Sequence, residues 1–148
     1  MPKYMFDPLA RKIKRPTFDG VKELADKFNT SITATAIRLV NINVWPLVLV
    51  CHSKSGRVWF NRSKDVPERW FPQKQLSQDS MAFDLVFGNE ERVRAQKATA
   101  DTWFDNQEAE RYEIIEDAMR ISNNQVLSLL WLENYDMLTD VSKSRFYR

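Results

Sequence analysis

The chain has 148 residues, 43% of them apolar, with five Trp and nine Phe but only three Gly and one Cys. This composition suits one domain, or one domain with a small helical annex, and excludes a low-complexity or disulfide-stapled chain. Because the longest apolar run is too short to span a bilayer and no signal peptide opens the chain, we expect a cytoplasmic protein without membrane contact.

The charge is distributed unevenly along the chain. Residues 1–40 carry a net charge of +4, residues 41–97 carry +3 and residues 98–148 carry −5, which together give +2. A basic front and an acidic back permit an anionic partner at the front, but they also suit two halves that attract each other. The basic run "RKIKR" is most often a solvated linker, with nucleic-acid binding as its alternative.

The first 43 residues predict an arm followed by two short helices. Residues 1–16 contain three Pro and no sustained period, which favours a linker or a packed extended arm. Thr17 or Asp19 can cap the first helix, Ser31 can cap the second, and the Asn residues after it end the pair. The side chains expected to face inward recur at helical spacing: Val21, Leu24, Ala25, Phe28, Ile32, Ala36, Leu39 and Val40.

A β-hairpin is predicted next. Residues 47–52 form its first strand, Gly56 supplies a turn with positive φ, and residues 58–60 return. Cys51 and His52 are adjacent in the first strand, so their side chains point to opposite faces and cannot jointly hold a metal. With one Cys and one His in the chain, we expect no metal site and no cofactor.

A loop and a helix follow the hairpin. Residues 63–76 contain two Pro and mixed charges, which is typical of a long surface loop. Residues 77–87 have a helical pattern that Ser77 or Ser80 can cap and that Gly88 ends.

The last third of the sequence is ambiguous. Residues 98–104 and 125–133 suit strands, but the spacing of apolar residues over 110–120 is that of a helix. Carboxylate pairs such as Glu113 and Glu116 are most simply a solvated face in an acidic stretch. Sequence pattern alone therefore predicts a helix between two strands.

Several segments, taken in order, resemble one protein family. "MP" at the start, "LADKFNTSITATAIRLVN", "LVLVCHSKSGRVWF", "ADTWF", "RYEIIEDA" and "VLSLLWLEN" are similar to the ImmA/IrrE family of zinc-dependent metallo-endopeptidases. The resemblance covers only the part of the family that lies after its catalytic core. The zinc motif HExxH and its downstream Glu would precede Met1, so no catalytic residue is carried over and the chain is not expected to be an enzyme.

The resemblance implies an α+β fold. A helix-turn-helix-like pair in residues 1–43 would precede a GAF-like or PAS-like domain in residues 44–148. That domain would be a mainly antiparallel sheet of four or five strands, covered by one or two helices. Residues 110–120 would then be a strand, against their own helical spacing, because tertiary context can override a local pattern.

A regulatory or sensor role follows from the same resemblance, with the absent peptidase domain or a regulatory protein as partner. A small molecule would lie against aromatic residues of the sheet domain, beneath a lid formed by the long loop. The expected wall is Trp59, Phe60, Trp70, Phe71 and Trp103. Such a receptor needs a cavity of about 300 Å³ or more with Trp70 or Phe71 on its wall. The alternative is that these aromatics fill the core and pin the loop.

DNA binding by residues 17–40 is the second hypothesis. The exposed face of the second helix offers Thr33 and Arg38, and Arg15 lies in the basic run before the first helix. Groove reading usually employs three or four side chains that reach base edges, and only Arg38 is suited to a guanine edge. We therefore favour a scaffold or protein-contact role for this helical corner over DNA contact.

Overall fold

The computed structural model describes residues 3–139, and residues 1–2 and 140–148 of the predicted domains lie outside this range. No helix in the described range is long and apolar enough to cross a membrane. The main elements are α1 (Lys3–Ala10), α2 (Phe18–Phe28), α3 (Ile32–Asn41), β1 (Leu47–Ser53), β2 (Gly56–Arg62), α4 (Met81–Phe87), β3 (Arg92–Thr99), β4 (Glu113–Ser122) and β5 (Gln125–Trp131).

Helix α1 corrects the prediction of a linker or extended arm. The helix forms even though Pro8 lies inside it. Proline has no backbone N–H, so Pro8 cannot donate a hydrogen bond to the carbonyl of the preceding turn. Phe6 and Ala10 are fully buried, and the Phe6 ring lies 5.9 Å from that of Phe28 in α2. Burial of this apolar side of α1 outweighs the unfavourable local effect of Pro8.

Helices α2 and α3 confirm the predicted pair. Asn29 ends α2 in the left-handed conformation with a φ of 53°, and the Ser31 hydroxyl caps α3 by accepting from the Ala34 N–H. Thr17 precedes α2 but makes no side-chain cap bond. The Phe18 N–H instead donates to the carboxylate of Asp117 at 2.8 Å, so a sheet residue caps α2.

The hairpin lies where it was predicted, whereas α4 begins at Met81 rather than at residue 77. Gly56 has a φ of 124°, a backbone conformation that residues other than glycine rarely adopt. A Cβ at Gly56 would also lie 3.1 Å from the carbonyl oxygen of Lys74. The Ser80 hydroxyl accepts from the Phe83 N–H and caps α4.

The last third forms strands, but their bounds differ from the prediction. Strand β3 ends at Thr99 and so includes only the start of the expected 98–104 strand, and residues 100–102 form a short 3₁₀ helix. Residues 110–120 begin with another 3₁₀ turn and continue as β4, so the local helical pattern was misleading. Strand β4 pairs with β3 on one side and β5 on the other, and its side chains from Ile114 to Ala118 are all buried. Because both faces of β4 are covered, its residues do not alternate between apolar and polar as they do in a strand with one exposed face.

The five strands form one sheet in the order β2-β1-β5-β4-β3, and each neighbouring pair is antiparallel. An α+β fold with a mainly antiparallel sheet is therefore confirmed. Helices α1 to α3 pack on one face, where Leu39 joins Leu49 and Leu127 in an apolar cluster. Helix α4 and the loop segments cover the opposite face around Trp70 and Trp103. We call these the helix-covered face and the aromatic face.

Candidate functional site

Strand β2 contains an irregularity that decides where its side chains point. Arg57 and Trp59 pair with consecutive residues of β1, so Val58 is an extra residue in β2. This bulge places Arg57 on the opposite face of the sheet from Trp59. Arg57 therefore shares the aromatic face with Phe60 and Arg62.

These side chains meet Phe71 from the loop. The Phe60 and Phe71 rings lie edge to face with their centroids 5.0 Å apart. The Arg57 guanidinium lies 4.9 Å from the Phe71 centroid, and that of Arg62 lies 5.1 Å from the Phe60 centroid. Cation–π attraction at these distances stabilises the cluster and holds both arginines beside the rings.

An open cleft lies next to this cluster and has a volume of about 410 Å³. Three cationic side chains and one carboxylate border it, but Arg69 forms an ion pair with Glu108 at 3.4 Å, which leaves an excess of one positive charge. The Arg57 Nη1 donates to the Pro72 carbonyl at 2.6 Å, which uses one of the five guanidinium N–H groups. The cleft, which we call the Phe71 cleft, is lined by Arg57, Arg69, Phe71, Pro72, Gln73, Lys74 and Asp105.

The loop over 63–76 is anchored on both sides of Phe71. Trp70 is fully buried, and its indole N–H donates to the Met137 carbonyl at 2.6 Å. The Arg57 backbone N–H donates to the Lys74 carbonyl at 2.7 Å, which joins the loop to the edge of β2. Trp70 thus fills the core and pins the loop, which agrees with the alternative stated above. It also positions Phe71 at the cleft.

The five residues expected to form one aromatic wall do not lie together. Trp70 and Trp103 are 0% and 2% exposed and fill the core of the aromatic face. Trp59 packs with the cluster on the helix-covered face, because Trp59 and Phe60 are adjacent in β2 and their side chains point to opposite faces. Phe60 and Phe71 do meet, and Phe71 is 50% exposed at the cleft.

His52 is buried close to the Phe71 cleft. It pairs with Arg57 across β1 and β2, and its ring lies 5.7 Å from that of Trp103. Burial lowers the pKa of His52 to about 4, and the charge of Arg57 acts in the same direction. Backbone groups of Gln73 and Lys74 oppose this shift, although neither ring nitrogen has a partner with hydrogen-bond geometry in residues 3–139. His52 is therefore a neutral side chain at physiological pH.

Two adjacent carboxylates of β4 are buried, which corrects the expectation of a solvated acidic face. Glu116 is 2% exposed and Asp117 1%, and as neighbours in a strand they point to opposite faces. The Trp103 indole N–H donates to Glu116 at 2.7 Å, whereas the Arg92 guanidinium donates to Asp117 at 3.0 Å. Glu113, the other member of the expected pair, is exposed.

Burial raises the pKa of both carboxyl groups. For Glu116 the charge of Asp84 adds to the rise in pKa, while the Trp103 indole and a backbone N–H oppose it. For Asp117 the rise in pKa is opposed by the N–H of Phe18 and by the Arg92 guanidinium. Glu116 has only neutral donors among the hydrogen bonds of residues 3–139, whereas Asp117 has a counter-ion.

The residues predicted to contact DNA do not form a single patch. The Arg38 guanidinium lies 5.5 Å from the centroid of the Phe6 ring and is only partly exposed. Thr33 is also partly exposed on α3. Arg15 is exposed and lines a separate groove beside α1 and α2, which neither Thr33 nor Arg38 lines.

Cys51 and His52 point to opposite faces, as predicted. Cys51 belongs to the helix-covered cluster, whereas His52 contacts Trp103 on the aromatic face. Within residues 3–139, no three His, Cys, Asp or Glu side chains are grouped so that they could hold a metal ion.

Sequence reasoning missed the cationic residues of the Phe71 cleft. Arg57 stands in the segment "GRVWFNR", where arginines flank aromatic residues, and this pattern was the available signal. Strict alternation would have placed Arg57 beside Trp59, because the bulge depends on pairing with β1. Arg69, Lys74 and Asp105 join the cleft only through the path of the loops.

Comparison with known proteins adds no family assignment. No family model matches this chain, and no curated protein matches it either. The resemblance to the ImmA/IrrE family therefore stays a prediction from the quoted segments.

Proposed function

We propose that this chain is the non-catalytic regulatory or sensor region of an ImmA/IrrE-like cytoplasmic protein. Its sheet domain binds a small anionic ligand in the Phe71 cleft, and its helices link the sheet to a peptidase domain or a regulatory protein. The ligand carries a carboxylate or phosphate for the cationic side chains and an apolar or planar part for Phe71.

The pairing of Arg57 with Phe71 on one cleft wall carries this proposal. The cleft exceeds the volume of about 300 Å³ that a small-molecule site needs. Guanidinium groups bind carboxylates and phosphates with two parallel hydrogen bonds, and Arg57 has N–H groups left after its bond to Pro72. The half-exposed Phe71 ring adds apolar contact beside these donors.

The end of β2 provides a physical connection to the helical pair. The Asn61 side-chain amide donates to the side-chain oxygen of Asn41 at the end of α3, at 3.0 Å. The Ser63 hydroxyl lies 3.1 Å from the Val40 carbonyl of α3. Because Arg57 lies on the same strand, a ligand that shifts β2 would also shift the bonds that hold α3.

The chemistry of Cys51 and His52 supports a non-catalytic role. Burial raises the pKa of the Cys51 thiol to about 11, so the thiol is protonated and a poor nucleophile at neutral pH. His52 lies on the other face of the sheet and cannot act as its base.

Titration calorimetry with a panel of aromatic carboxylates and phosphate monoesters tests the cleft. We expect at least one compound to bind, with affinity reduced about tenfold or more by Arg57→Ala and reduced by Phe71→Ala. Arg94→Ala, at an exposed position of β3, is the matched control and should leave binding unchanged. Binding that survives both cleft substitutions would refute the assignment of this site.

The parent protein can be tested separately from the cleft. An HExxH motif in the reading frame upstream of Met1 would support the ImmA/IrrE assignment. A frame without that motif would remove the peptidase link and leave the ligand-binding proposal standing on its own.

DNA binding through residues 17–40 is the second candidate, and the exposed Arg15 beside three lysines supports it. The contact of Arg38 with Phe6 weighs against it, because this guanidinium is held on the protein's own surface. Salt-dependent retardation of duplex DNA that is lost in an Arg15→Ala, Arg38→Ala double variant would promote this candidate.

A further inference from the structure

A second concave surface lies between the end of α1 and the exposed side of α2. It is an open groove of about 520 Å³, formed by the connecting segment over residues 12–17 against one side of α2. Gly20 allows this close approach, since a Cβ there would lie 3.2 Å from the Ile13 Cδ1. We call this surface the basic groove.

The floor of the basic groove is aliphatic. Leu9 and Ile13 are half-buried, and Leu24 is 4% exposed. No aromatic residue lines the groove in the described part of the chain. An occupant therefore gains hydrophobic contact but no stacking surface.

The rim of the groove is cationic. Four exposed cations face a single exposed carboxylate, Glu23, which leaves an excess of three positive charges. None of the four cations forms an ion pair within residues 3–139. The rim cations are Lys12, Lys14, Arg15 and Lys27.

We propose that the basic groove docks an acidic peptide segment of a partner protein, with an aliphatic side chain of that segment on the floor. Its Asp and Glu side chains would meet the cationic rim, since complementary charge steers and orients a partner. The groove suits a nucleic acid less well. Single strands are usually held by stacking on aromatic side chains. A duplex is read by a helix or β-ribbon that protrudes into its groove, whereas the basic groove is concave.

Selection from a displayed library of random short peptides identifies the occupant's chemistry. The wild-type chain is the bait, and a Lys14→Glu, Lys27→Glu double variant removes peptides that bind elsewhere. We expect the retained peptides to combine Leu, Ile or Met with flanking Asp or Glu. Retained peptides without acidic residues, or no enrichment above the variant, would overturn the proposal.

Fluorescence anisotropy with the best retained peptide then tests the groove itself. The double variant should weaken binding by about tenfold or more, and a peptide with Ser in place of its aliphatic residue should also bind more weakly. A Lys54→Glu, Lys97→Glu variant makes the same change in net charge at exposed positions outside the groove and should bind normally. Equal loss in both variants would mean that net charge alone attracts the peptide.

A labelled duplex and a labelled single-stranded oligonucleotide complete the comparison. The peptide should bind more tightly than either at physiological salt. An oligonucleotide that binds more tightly, and that loses affinity in the groove variant alone, would replace the peptide proposal with a nucleic-acid site. Circular dichroism and melting temperature confirm that each variant is folded.

Discussion

The two faces of the sheet bury neighbouring carboxylates in different ways. On the helix-covered face, Asp117 accepts from the Arg92 guanidinium and from the first N–H of α2. On the aromatic face, Glu116 accepts from neutral groups, and His52 has no hydrogen-bond partner among residues 3–139. Burial raises the pKa of both carboxyl groups, but Asp117 has a charged partner and attaches α2, whereas Glu116 and His52 have no charged partner among residues 3–139.

Asp117→Ala should have the largest effect at neutral pH, and it tests whether the buried ion pair attaches α2 to the sheet. The substitution removes the cap of α2 and leaves Arg92 without its buried partner, so we expect a loss of about 3 kcal/mol in the free energy of unfolding. Asp19→Ala removes the other partner of Arg92, whose side chain is 75% exposed, and should cost less than about 1 kcal/mol. Urea unfolding of both variants measures the difference, and similar losses would contradict a special role for Asp117.

His52→Leu tests the pH sensitivity of the aromatic face. The pKa of His52 is about 4 in the folded chain, whereas the ordinary pKa of histidine, which applies to the unfolded chain, is 6.5. As pH falls, the unfolded state therefore binds the proton first. Folding stability is then lost below about pH 6.5, by about 3 kcal/mol at pH 4. His52→Leu should abolish this loss, whatever its effect on stability at neutral pH.

The measurement for His52 is the free energy of unfolding across this pH range. The stability difference between wild type and variant isolates His52 from the carboxyl groups that titrate in both proteins. A difference that stays constant between pH 7 and pH 4 would mean that the folded state accommodates the charged imidazole.

Glu116→Gln should have the smallest effect and the opposite dependence on pH. Because the pKa of Glu116 is raised in the folded state, folding is favoured while the group is protonated. Stability is lost as pH rises from the ordinary carboxyl pKa through the raised one. Gln keeps an acceptor for the Trp103 indole but carries no charge, so the variant should lack this loss. Unfolding curves above pH 4 measure it, and parallel curves would contradict the prediction.

The sequence predicted local elements well where the local signal and the final environment agree. Ser31 and Ser80 cap helices as expected, and Gly56 adopts the positive φ that its turn requires. These features depend on a few neighbouring residues, so periodicity and turn chemistry identify them. The opposite orientation of the Cys51 and His52 side chains also follows from strand alternation alone.

The candidate site could not be predicted in the same way. Arg57 faces Phe71 only because Val58 bulges, and the bulge exists only when β2 pairs with β1. Of the five aromatic residues predicted to line a pocket, only Phe60 and Phe71 come together beside the cleft. Alternation in β2 separates Trp59 from Phe60, but the positions of Trp70, Phe71 and Trp103 depend on the path of the loops.

By itself, the sequence determined the hairpin, the helical pair and the caps at Ser31 and Ser80, because these are set by contacts within a few residues. Tertiary structure decided three further features. Burial of Phe6 made α1 a helix despite Pro8. Pairing with β3 and β5 made β4 a strand. The same pairing carried Glu116 into the interior, because a central strand covered on both faces must bury whatever side chains it bears.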